Sequence, residues 1–330
     1  MVTINDIANL SGVSRTTVSR VLNNSGYVSE SAKRKVQEII ESTGYVPSEQ
    51  AKSLRTKQTK VIGVILPKIS TETASRVVDG IDKKLSEHGY HILLANANLN
   101  VEKEIEHLRL LQSRRVDGII LVATNIETQL IKTIQEMNVP VVALGQEVPG
   151  ISSVVYDDYH AAYDVTSLLI EKGHKRIGFI GVSETDRAVG FERKRAFLDA
   201  MKAYNLDVYS AWIQEGVFDI HSGGQAMKTI LEESPQSPTA IFAVTDRLAI
   251  GAMQVIKEKN IDIPKQISVV GIGASDLSKY VSPSLTTVDY YNEKAGIETA
   301  NLMIEQLVKK EEKPKKLLMS YGLILRDSLS

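Results

Sequence analysis

The sequence lacks cysteine and has few aromatic residues. None of its 330 residues is Cys, one is Trp, and Phe, Trp and Tyr together make up 5% of the chain. A chain without cysteine has no thiol nucleophile, no disulfide and no Cys-based metal site. The sequence also lacks an apolar stretch of about 18 residues and an N-terminal export signal. We therefore expect a cytoplasmic protein that makes no membrane contact.

Catalytic motifs are also missing. The six histidines are scattered, and there is neither an H-E-x-x-H motif nor a nucleophile elbow. Gly271 and Gly273 follow an apolar run, but Asp276 stands where a dinucleotide fingerprint needs its third glycine. The adjacent Asp157 and Asp158 fit a helix cap or a hydroxyl-binding pair better than an acid pair. The sequence therefore predicts no enzyme, no catalytic residue, no metal site and no cofactor.

Charge is unevenly distributed along the chain. The whole sequence carries −1, whereas residues 1–60 hold nine Lys and Arg against five Asp and Glu, a net +4. The rest of the chain therefore carries −5. One basic end on a nearly neutral protein is typical of a nucleic-acid-binding segment.

Residues 3–24 predict two short helices separated by a turn. Apolar residues recur at helical spacing in the first helix: Ile4, Ile7, Ala8 and Leu10. Ser11-Gly12 interrupts this pattern, and Ser14 is a suitable N-cap for a second helix with Val18, Val21 and Leu22 on its inner face. Its outer face carries Arg15, Thr16, Ser19 and Arg20. The alternative is a helical hairpin with a solvated polar face.

A helix-turn-helix unit places the first turns of its second helix in the major groove, where Arg can pair with guanine and Thr can contact either bases or the thymine methyl. We predict that Arg15, Thr16 and Arg20 contact bases. The predicted contacts to the DNA backbone are Thr3, Ser14, Ser19, Asn23 and Tyr45. A third helix over about Ser31 to Thr43, stopped by Gly44, would complete a minimal core.

From residue 61, apolar runs alternate with amphipathic helical stretches. This alternation, in VIGVIL, HILLA, GIILVA, VVALG, SSVVY, RIGFIG, AIFAV and SVVGIG, predicts parallel sheets with crossover helices. A segment of about 270 residues exceeds one hydrophobic core, so two lobes are expected. The predicted fold class is an N-terminal all-α helix-turn-helix domain plus an α/β core of two doubly wound parallel-sheet lobes, like a periplasmic binding protein.

Ligands of open parallel sheets bind outside the carboxyl ends of the strands, and in a two-lobed protein these ends face one cleft. Polar and aromatic residues follow several predicted strands. The candidates are Lys68, Ser70, Asn96, Thr124, Gln146, Arg187, Phe218, Thr245 and Asp246. Amides, charged groups and one aromatic ring would suit a sugar.

The chain resembles the lactose/galactose-repressor family from end to end. The resemblance is strongest in TINDIANLSGVSRTTVSRVLN, in YVPSEQAKSLRT and in VIGVILP. It implies a hinge that becomes helical on the operator, where Leu54 would insert into the minor groove and bend the DNA. The implied hinge residues around Leu54 are Ala51, Lys52, Ser53 and Arg55.

The resemblance also implies a domain arrangement. Residues 1–46 would form the helix-turn-helix domain, 47–60 the hinge and 61–330 the effector-binding core. Lobe 1 would comprise residues 61–158 and 291–320, and lobe 2 residues 161–288 and 323–330. The chain would thus cross three times between the lobes.

Family positions add Tyr156 and Arg193 to the effector-binding set and support Arg187. The expected effector-binding carboxylate is missing at Gly273. That absence, Thr245-Asp246 and the phrase SVVYDD are similar to trehalose-type repressors within the family. Lys68, Arg187 and Arg193 could neutralise a phosphate, although Gln146 stands where those proteins have arginine. The expected effector is therefore a disaccharide or its phosphate.

The predicted function is a sugar-responsive regulator, a repressor, that binds a pseudo-palindromic operator in double-stranded DNA. Two copies are needed for adequate specificity, so we expect a homodimer. Tetrameric members of the family that the chain resembles have an extra C-terminal leucine-heptad segment, whereas this sequence ends RDSLS, so the resemblance implies a dimer rather than a tetramer. The alternatives are a regulator of the same fold that answers to a corepressor or partner protein, and a sugar-binding receptor without regulation.

Overall fold

A computed structural model describes residues 2–45, 58–309 and 313–330. The chain divides into two compact units, Met1–Lys60 and Val61–Ser330. The predicted hinge residues Ala51, Lys52, Ser53, Leu54 and Arg55 lie outside the described residues.

The first unit is formed by three helices, α1 (Ile4–Ser11), α2 (Arg15–Asn23) and α3 (Glu30–Thr43). Gly12 ends α1 with a φ of 68°, a left-handed conformation that glycine adopts without steric cost. Ser14 caps α2, since its side chain accepts a hydrogen bond from the amide of Thr17 at 3.1 Å. Gly44 follows α3 in the same left-handed conformation as Gly12. The predicted turn at Ser11-Gly12, the start of the second helix after Ser14 and the end of the third helix at Gly44 are confirmed.

The small core of this unit consists of Ile7, Ala8, Val18 and Val36. Leu10, which was grouped with the apolar residues at helical spacing in the first helix, is 59% exposed. The buried stripe of α1 follows i, i+3, i+4 and i+7 from Ile4, which leads to Ser11 rather than Leu10. The Ser11 hydroxyl fills that buried position and donates to the carbonyl of Ile7.

The second unit contains two six-stranded sheets. Their strands are β1 (Val61–Leu66), β2 (His91–Asn96), β3 (Gly118–Val122), β4 (Val141–Gly145), β5 (Ser152–Tyr156), β6 (Ile177–Val182), β7 (Ile213–Gly216), β8 (Ala240–Ala243), β9 (Ser268–Ile272), β10 (Thr286–Asp289), β11 (Lys316–Met319) and β12 (Gly322–Ile324). The sheet of lobe 1 has the order β11-β5-β4-β3-β1-β2, and the sheet of lobe 2 has the order β12-β10-β9-β8-β6-β7. Pairing is parallel except between β10 and β12.

Helices cover both faces of each sheet. In lobe 1 they are α4 (Glu72–Ser86), α5 (Val101–Ser113), α6 (Thr128–Gln135) and α12 (Asn292–Val308). In lobe 2 they are α7 (Asp158–Glu171), α8 (Arg193–Ala203), α9 (Ile220–Glu233), α10 (Asp246–Glu258) and α11 (Asp276–Tyr280), with a π-helical turn at Arg187–Glu192 and a 3₁₀ turn at Ser210–Trp212. The predicted fold class, with two parallel-sheet lobes, is confirmed.

The chain crosses between the lobes at three places: from β5 to α7, from β10 to α12 and from β11 to β12. Strands β7, β10 and β11 were not predicted. They have only four residues each, and β7 and β11 are mostly exposed or half-buried, so they lack the long apolar run that identifies a central strand.

Candidate functional site

The predicted base-contacting side chains lie together on α2. Arg15, Thr16 and Arg20 are exposed, whereas Val18 on the opposite face is fully buried in the small core. Packing of Val18 against α1 and α3 therefore fixes the orientation of α2 within the first unit. Its outer face presents the two guanidinium groups and a hydroxyl, which match base edges in a major groove.

The residues predicted to contact the DNA backbone have structural roles within this unit. Thr3 and Asp6 form a reciprocal cap on α1, with the Thr3 amide 2.8 Å from the Asp6 carboxylate. The amide side chain of Asn23 donates to the carbonyl of Ser19 at 2.6 Å. Tyr45 is half-buried against the core. Thr3, Ser14 and Asn23 remain exposed, so their polar groups lie at the surface.

In the second unit, a cavity of about 210 Å³ lies between the two lobes, at the carboxyl ends of the strands. Side chains of both lobes line it. The sequence-predicted candidates on its lining are Lys68, Thr124, Gln146, Tyr156, Arg193, Phe218, Thr245 and Asp246. Folding thus brings together residues that are up to 178 positions apart in the sequence.

Three of the candidates, Ser70, Asn96 and Arg187, are not placed on this lining. Arg187 is about half-exposed, its guanidinium stacks over the ring of Phe191 at 4.1 Å, and its Nε lies 3.4 Å from Glu192. Its short helical turn directs it along the surface instead of inward. Ser70 is exposed, and its carbonyl accepts a hydrogen bond from Arg247 at 3.0 Å. The Asn96 side chain accepts a hydrogen bond from the Ile69 amide at 3.2 Å. The expectation that these three residues line the cavity is therefore corrected.

Arg193 is buried in an ion pair with Asp158. Its Nε and Nη2 lie 2.7 and 2.6 Å from one oxygen of that carboxylate, and its Nη1 donates to the carbonyl of Val244. Asp158 was not among the predicted effector residues, although the doublet 157–158 was interpreted as a helix cap or a hydroxyl-binding pair. Asp157 does cap α7, with its carboxylate accepting from the His160 amide at 3.3 Å. Asp158, one residue later, faces the cavity.

Gln146 and Asp186 connect the lobes inside the cavity. The Gln146 amide donates to the Asp186 carboxylate at 3.4 Å, and both residues are buried. Burial raises the pKa of Asp186 to about 6, although backbone amides of the π-helical turn oppose this shift. Among the described residues, no partner is found for the buried Oε1 of Gln146. An acceptor of this kind suits a hydroxyl or amino group of a ligand.

Asp246 is already hydrogen-bonded within lobe 2. One carboxylate oxygen accepts from the Thr287 hydroxyl, and the other accepts from the Ser275 amide at 2.7 Å. Burial raises the pKa of this carboxyl group. Gly273 lies directly beside it with a φ of 140°, and a Cβ added there would stand 3.6 Å from the Asp246 carboxylate. The loop after β9 thus needs glycine at the position where a carboxylate was expected.

Aromatic side chains form part of the lining. The rings of Tyr156 and Tyr290 stack with their centroids 4.8 Å apart, and the Tyr156 hydroxyl donates to Asn292 at 2.8 Å. Phe218 adds a third ring from the loop before α9, with its backbone at a φ of 61°. Tyr290 and Asn292 were not predicted because they follow β10, a strand that was itself missed.

Polar contacts close one side of the cavity between α4 and the start of α11. The Glu72 carboxylate accepts from the Asp276 amide at 2.8 and 2.9 Å. Arg76 donates to the Ala274 carbonyl at 2.8 Å and lies 3.2 Å from the Asp276 carboxylate. We call Glu72, Arg76, Ala274 and Asp276 the interlobe latch.

Within residues 2–45, 58–309 and 313–330 there is no cluster of three or more His, Asp and Glu side chains that could hold a metal ion. In the same ranges, every helix is too short or too polar to span a membrane.

Two family models match separate parts of the chain. Residues 3–48 match the family described as bacterial regulatory proteins, lacI family. Residues 166–329 match a periplasmic binding protein-like domain.

Full-length relatives and solved structures are also similar to this chain. It is 32% identical to the HTH-type transcriptional repressor PurR of Actinobacillus pleuropneumoniae serotype 3 (strain JL03), covering 100% of this chain and 98% of the relative. The lac repressor dimer bound to operator and the anti-inducer ONPF has 25% identity and a TM-score of 0.90, covering 100% and 99% of the two chains. A complex of the transcriptional regulator CelR with cellobiose has 28% identity and a TM-score of 0.76, covering 99% and 100%.

Proposed function

This chain belongs to the lacI family of bacterial regulatory proteins, and from that premise we propose that a sugar of the disaccharide class in the interlobe cavity changes its affinity for operator DNA. Its similarity to DNA-binding repressors over the whole length makes it a transcriptional repressor of this family rather than an enzyme. The observation that carries the effector proposal is the cavity itself, since both lobes supply polar groups to it.

The chemistry of the lining favours a polyhydroxy ligand. Gln146 offers the unpartnered acceptor Oε1 and the donor Nε2. Asn292 contributes a side-chain amide, and Phe218 contributes an apolar ring. Hydroxyl groups can donate to or accept from the amides, while a sugar's C–H face can pack on the aromatic ring. The cavity, about 210 Å³, is smaller than the 300–1,000 Å³ of typical ligand sites, which favours a small ligand.

The charges on the lining favour a sugar without phosphate. Carboxylates of Glu72, Asp158, Asp186 and Asp246 surround the cavity. Arg193 is neutralised by Asp158, and Arg187 stands on the surface, so two of the three cations expected to hold a phosphate are otherwise placed. Lys68 is then the one cation of the expected three that still faces a phosphate, with Arg247 as a further cation on the lining. A phosphate dianion would also lie close to the carboxylates of Asp186 and Asp246, which is electrostatically unfavourable.

We further propose that the chain binds operator DNA as a dimer. The similar lac repressor is a dimer bound to operator. We expect residues 1–46 of each copy to contact one half of a pseudo-palindrome through Arg15, Thr16 and Arg20, and residues 47–60, with Leu54, to form the hinge. The core 61–330 would provide the dimer contacts and the effector site. Because a DNA-binding regulator must have access to its operator, we place the protein in the cytoplasm.

The test combines ligand screening with operator binding. Trehalose, sucrose, cellobiose, trehalose 6-phosphate, single sugars and free nucleobases are each added to the full chain in a thermal-shift assay. A ligand that binds only the folded protein raises its melting temperature. Operator affinity is then measured with and without each stabilising compound. Stabilisation by an unphosphorylated disaccharide together with a change in operator affinity, in either direction, is expected. Stabilisation by nucleobases alone, or binding without any change in operator affinity, would contradict the proposal.

A further inference from the structure

Three tyrosines lie one on each segment that crosses between the lobes. Tyr156 ends β5, Tyr290 follows β10, and Tyr321 lies between β11 and β12. The Tyr156 and Tyr290 rings stack at 4.8 Å with an interplanar angle of 26°. The Tyr321 ring meets Tyr290 edge-on at 6.3 Å and 85°. The three crossing segments therefore contact one another through one aromatic group, here called the hinge cluster.

Hydrogen bonds connect each ring to a different neighbour. The Tyr156 hydroxyl donates to Asn292 of α12 at 2.8 Å, and that of Tyr321 donates to Asp164 of α7 at 2.6 Å.

The Tyr290 hydroxyl donates to Asp158 at 3.1 Å. The same oxygen of Asp158 accepts the two bonds from Arg193, so three donors share one buried acceptor. Tyr290 thus links the hinge cluster to the arginine that lines the cavity.

The Arg193 guanidinium has a second contact with this tyrosine, because it lies 5.2 Å from the ring centroid of Tyr290. Asp158 and Arg193 are each about 5% exposed, and Tyr290 is 3% exposed. Buried, close-packed side chains shift between discrete arrangements rather than deform continuously. A ligand that takes over one of the Arg193 hydrogen bonds to Asp158 weakens this ion pair. That change reaches Tyr290 through the shared oxygen.

We infer that the Tyr290 hydroxyl positions the Asp158–Arg193 pair and transmits occupancy of the cavity to the hinge cluster, and thereby to the angle between the lobes. Tyr290 acts here as a positioning and coupling residue. The inference rests on the proposed function, because it takes the cavity to be the effector site. A purely structural role for the same hydrogen bond would affect stability but would leave the coupling between sugar and operator unchanged.

The substitution that separates these roles is Tyr290→Phe. It retains the ring, the stacking with Tyr156 and the edge contact with Tyr321, and it removes the donor to Asp158. Tyr159→Phe is the matched control: the Tyr159 hydroxyl donates to Asp199 at 2.9 Å on the exposed side of lobe 2, so it also loses one tyrosine–aspartate bond.

In the first experiment, operator affinity of the full-length variants is measured without and with saturating trehalose, sucrose or cellobiose. The ratio of the two affinities is the coupling factor, typically about 5–150 in allosteric proteins. We expect Tyr290→Phe to lower this factor about fivefold or more and Tyr159→Phe to change it less than about twofold. If Tyr290→Phe still binds the sugar and its coupling factor equals that of the unmodified protein, the inference is wrong.

The second experiment needs no ligand, so it remains decisive even if none of these sugars binds and the proposed effector class fails. Amide hydrogen exchange is followed in residues 319–322, which are not among the residues lining the cavity. Tyr290→Phe should speed exchange there about threefold or more, because the cluster loses its attachment to Asp158. Tyr159→Phe should leave it unchanged. Equal exchange rates in the two variants would overturn the inference.

Discussion

Arg193 and Asp158 form an ion pair that is buried between the lobes, with two guanidinium nitrogens within 2.7 Å of one carboxylate oxygen. Arg193 begins α8 and Asp158 begins α7, so the pair ties together two helix N-termini of lobe 2. A buried carboxylate next to a buried arginine is stable only while both are present. The residue that the sequence predicts as an effector contact therefore also holds its own lobe together.

Loss of Arg193 should accordingly affect stability as well as effector binding. Arg193→Met leaves Asp158 buried without a cation, and we expect it to lower the free energy of unfolding by about 3 kcal/mol. Adding Asp158→Asn to Arg193→Met should restore part of this loss, because the uncompensated charge disappears. Urea denaturation measures both effects. Arg187→Met is the control, since that side chain is about half-exposed and off the cavity. A larger loss in the control, or no recovery in the double variant, would contradict this assignment.

A buried carboxyl group in lobe 1 should make stability depend on pH. Glu104 is 1% exposed, and burial raises its pKa from 4.5 to about 7, although hydrogen bonds from Asn125 and Thr124 oppose this. Between these values the folded chain binds the proton more tightly than the unfolded chain. The free energy of unfolding should therefore decrease as pH rises from 4.5 to about 7.

Glu104→Gln removes this titration. The variant should lose that part of the pH dependence and be more stable than the unmodified protein above pH 7 by about 1–3 kcal/mol. Denaturation midpoints measured at several pH values between about 4 and 8 test this expectation. Glu106→Gln, on the exposed side of the same helix, should leave the pH profile unaltered. Identical profiles for both variants would rule out Glu104 as the titrating group.

Gly273 should tolerate no side chain without a cost in stability. Its φ of 140° is rarely adopted by other residues, and we expect Gly273→Ala to destabilise the fold by about 1–3 kcal/mol. Gly273→Asp should cost more, because its carboxylate would approach that of Asp246. Gly89→Ala is the comparison at a φ of 69° with open space around the added Cβ. We expect Gly89→Ala to lower the free energy of unfolding by about 1 kcal/mol, and denaturation midpoints measure this change for all three variants. If the aspartate variant proved as stable as the original chain, the strain would be refuted.

The interlobe latch should slow the escape of a bound sugar. Arg76→Ala removes the bonds to Ala274 and Asp276, so we expect the sugar to dissociate about tenfold faster, as measured by stopped-flow displacement. Lys83→Ala removes an exposed ion pair with Glu293, 3.0 Å long, from the same helix. It should have little effect, because such pairs contribute about 0–1 kcal/mol. Equal dissociation rates for the two variants would mean that the latch does not retain the sugar.

Recognition of bases by α2 predicts losses that depend on the DNA sequence. With an operator selected from random DNA by the unmodified chain, Arg15→Ala and Arg20→Ala should each weaken binding by about 1–3 kcal/mol and relax the preference at one base pair. Arg34→Ala changes an exposed arginine on α3 that pairs with Glu38, and serves as control. Binding losses of the same size on operator and unrelated DNA would indicate backbone contacts in place of base contacts.

Much of the fold was predictable from local patterns. The helix boundaries at Ser14 and Gly44 followed from capping residues, and the central strands followed from apolar runs such as VIGVIL. The short strands β10 and β11 were not predictable in this way, because four-residue segments at or near a sheet edge have no distinctive periodicity. Tyr290 and Asn292 follow β10. Because this strand was not predicted, these two residues were not predicted to line the cavity.

The sequence by itself determined the helix-turn-helix, the two α/β lobes and the placement of polar groups after strand ends, because these depend on capping, periodicity and chain connectivity. Only the tertiary structure decided which of those groups share the cavity. Lys68, Gln146 and Arg193 line it, whereas Arg187 stacks on Phe191 at the surface. The pairing of Arg193 with Asp158, and of Tyr290 with Tyr156 and Tyr321, likewise arises only when distant parts of the chain pack together. No local pattern specifies contacts between residues 31 or more positions apart.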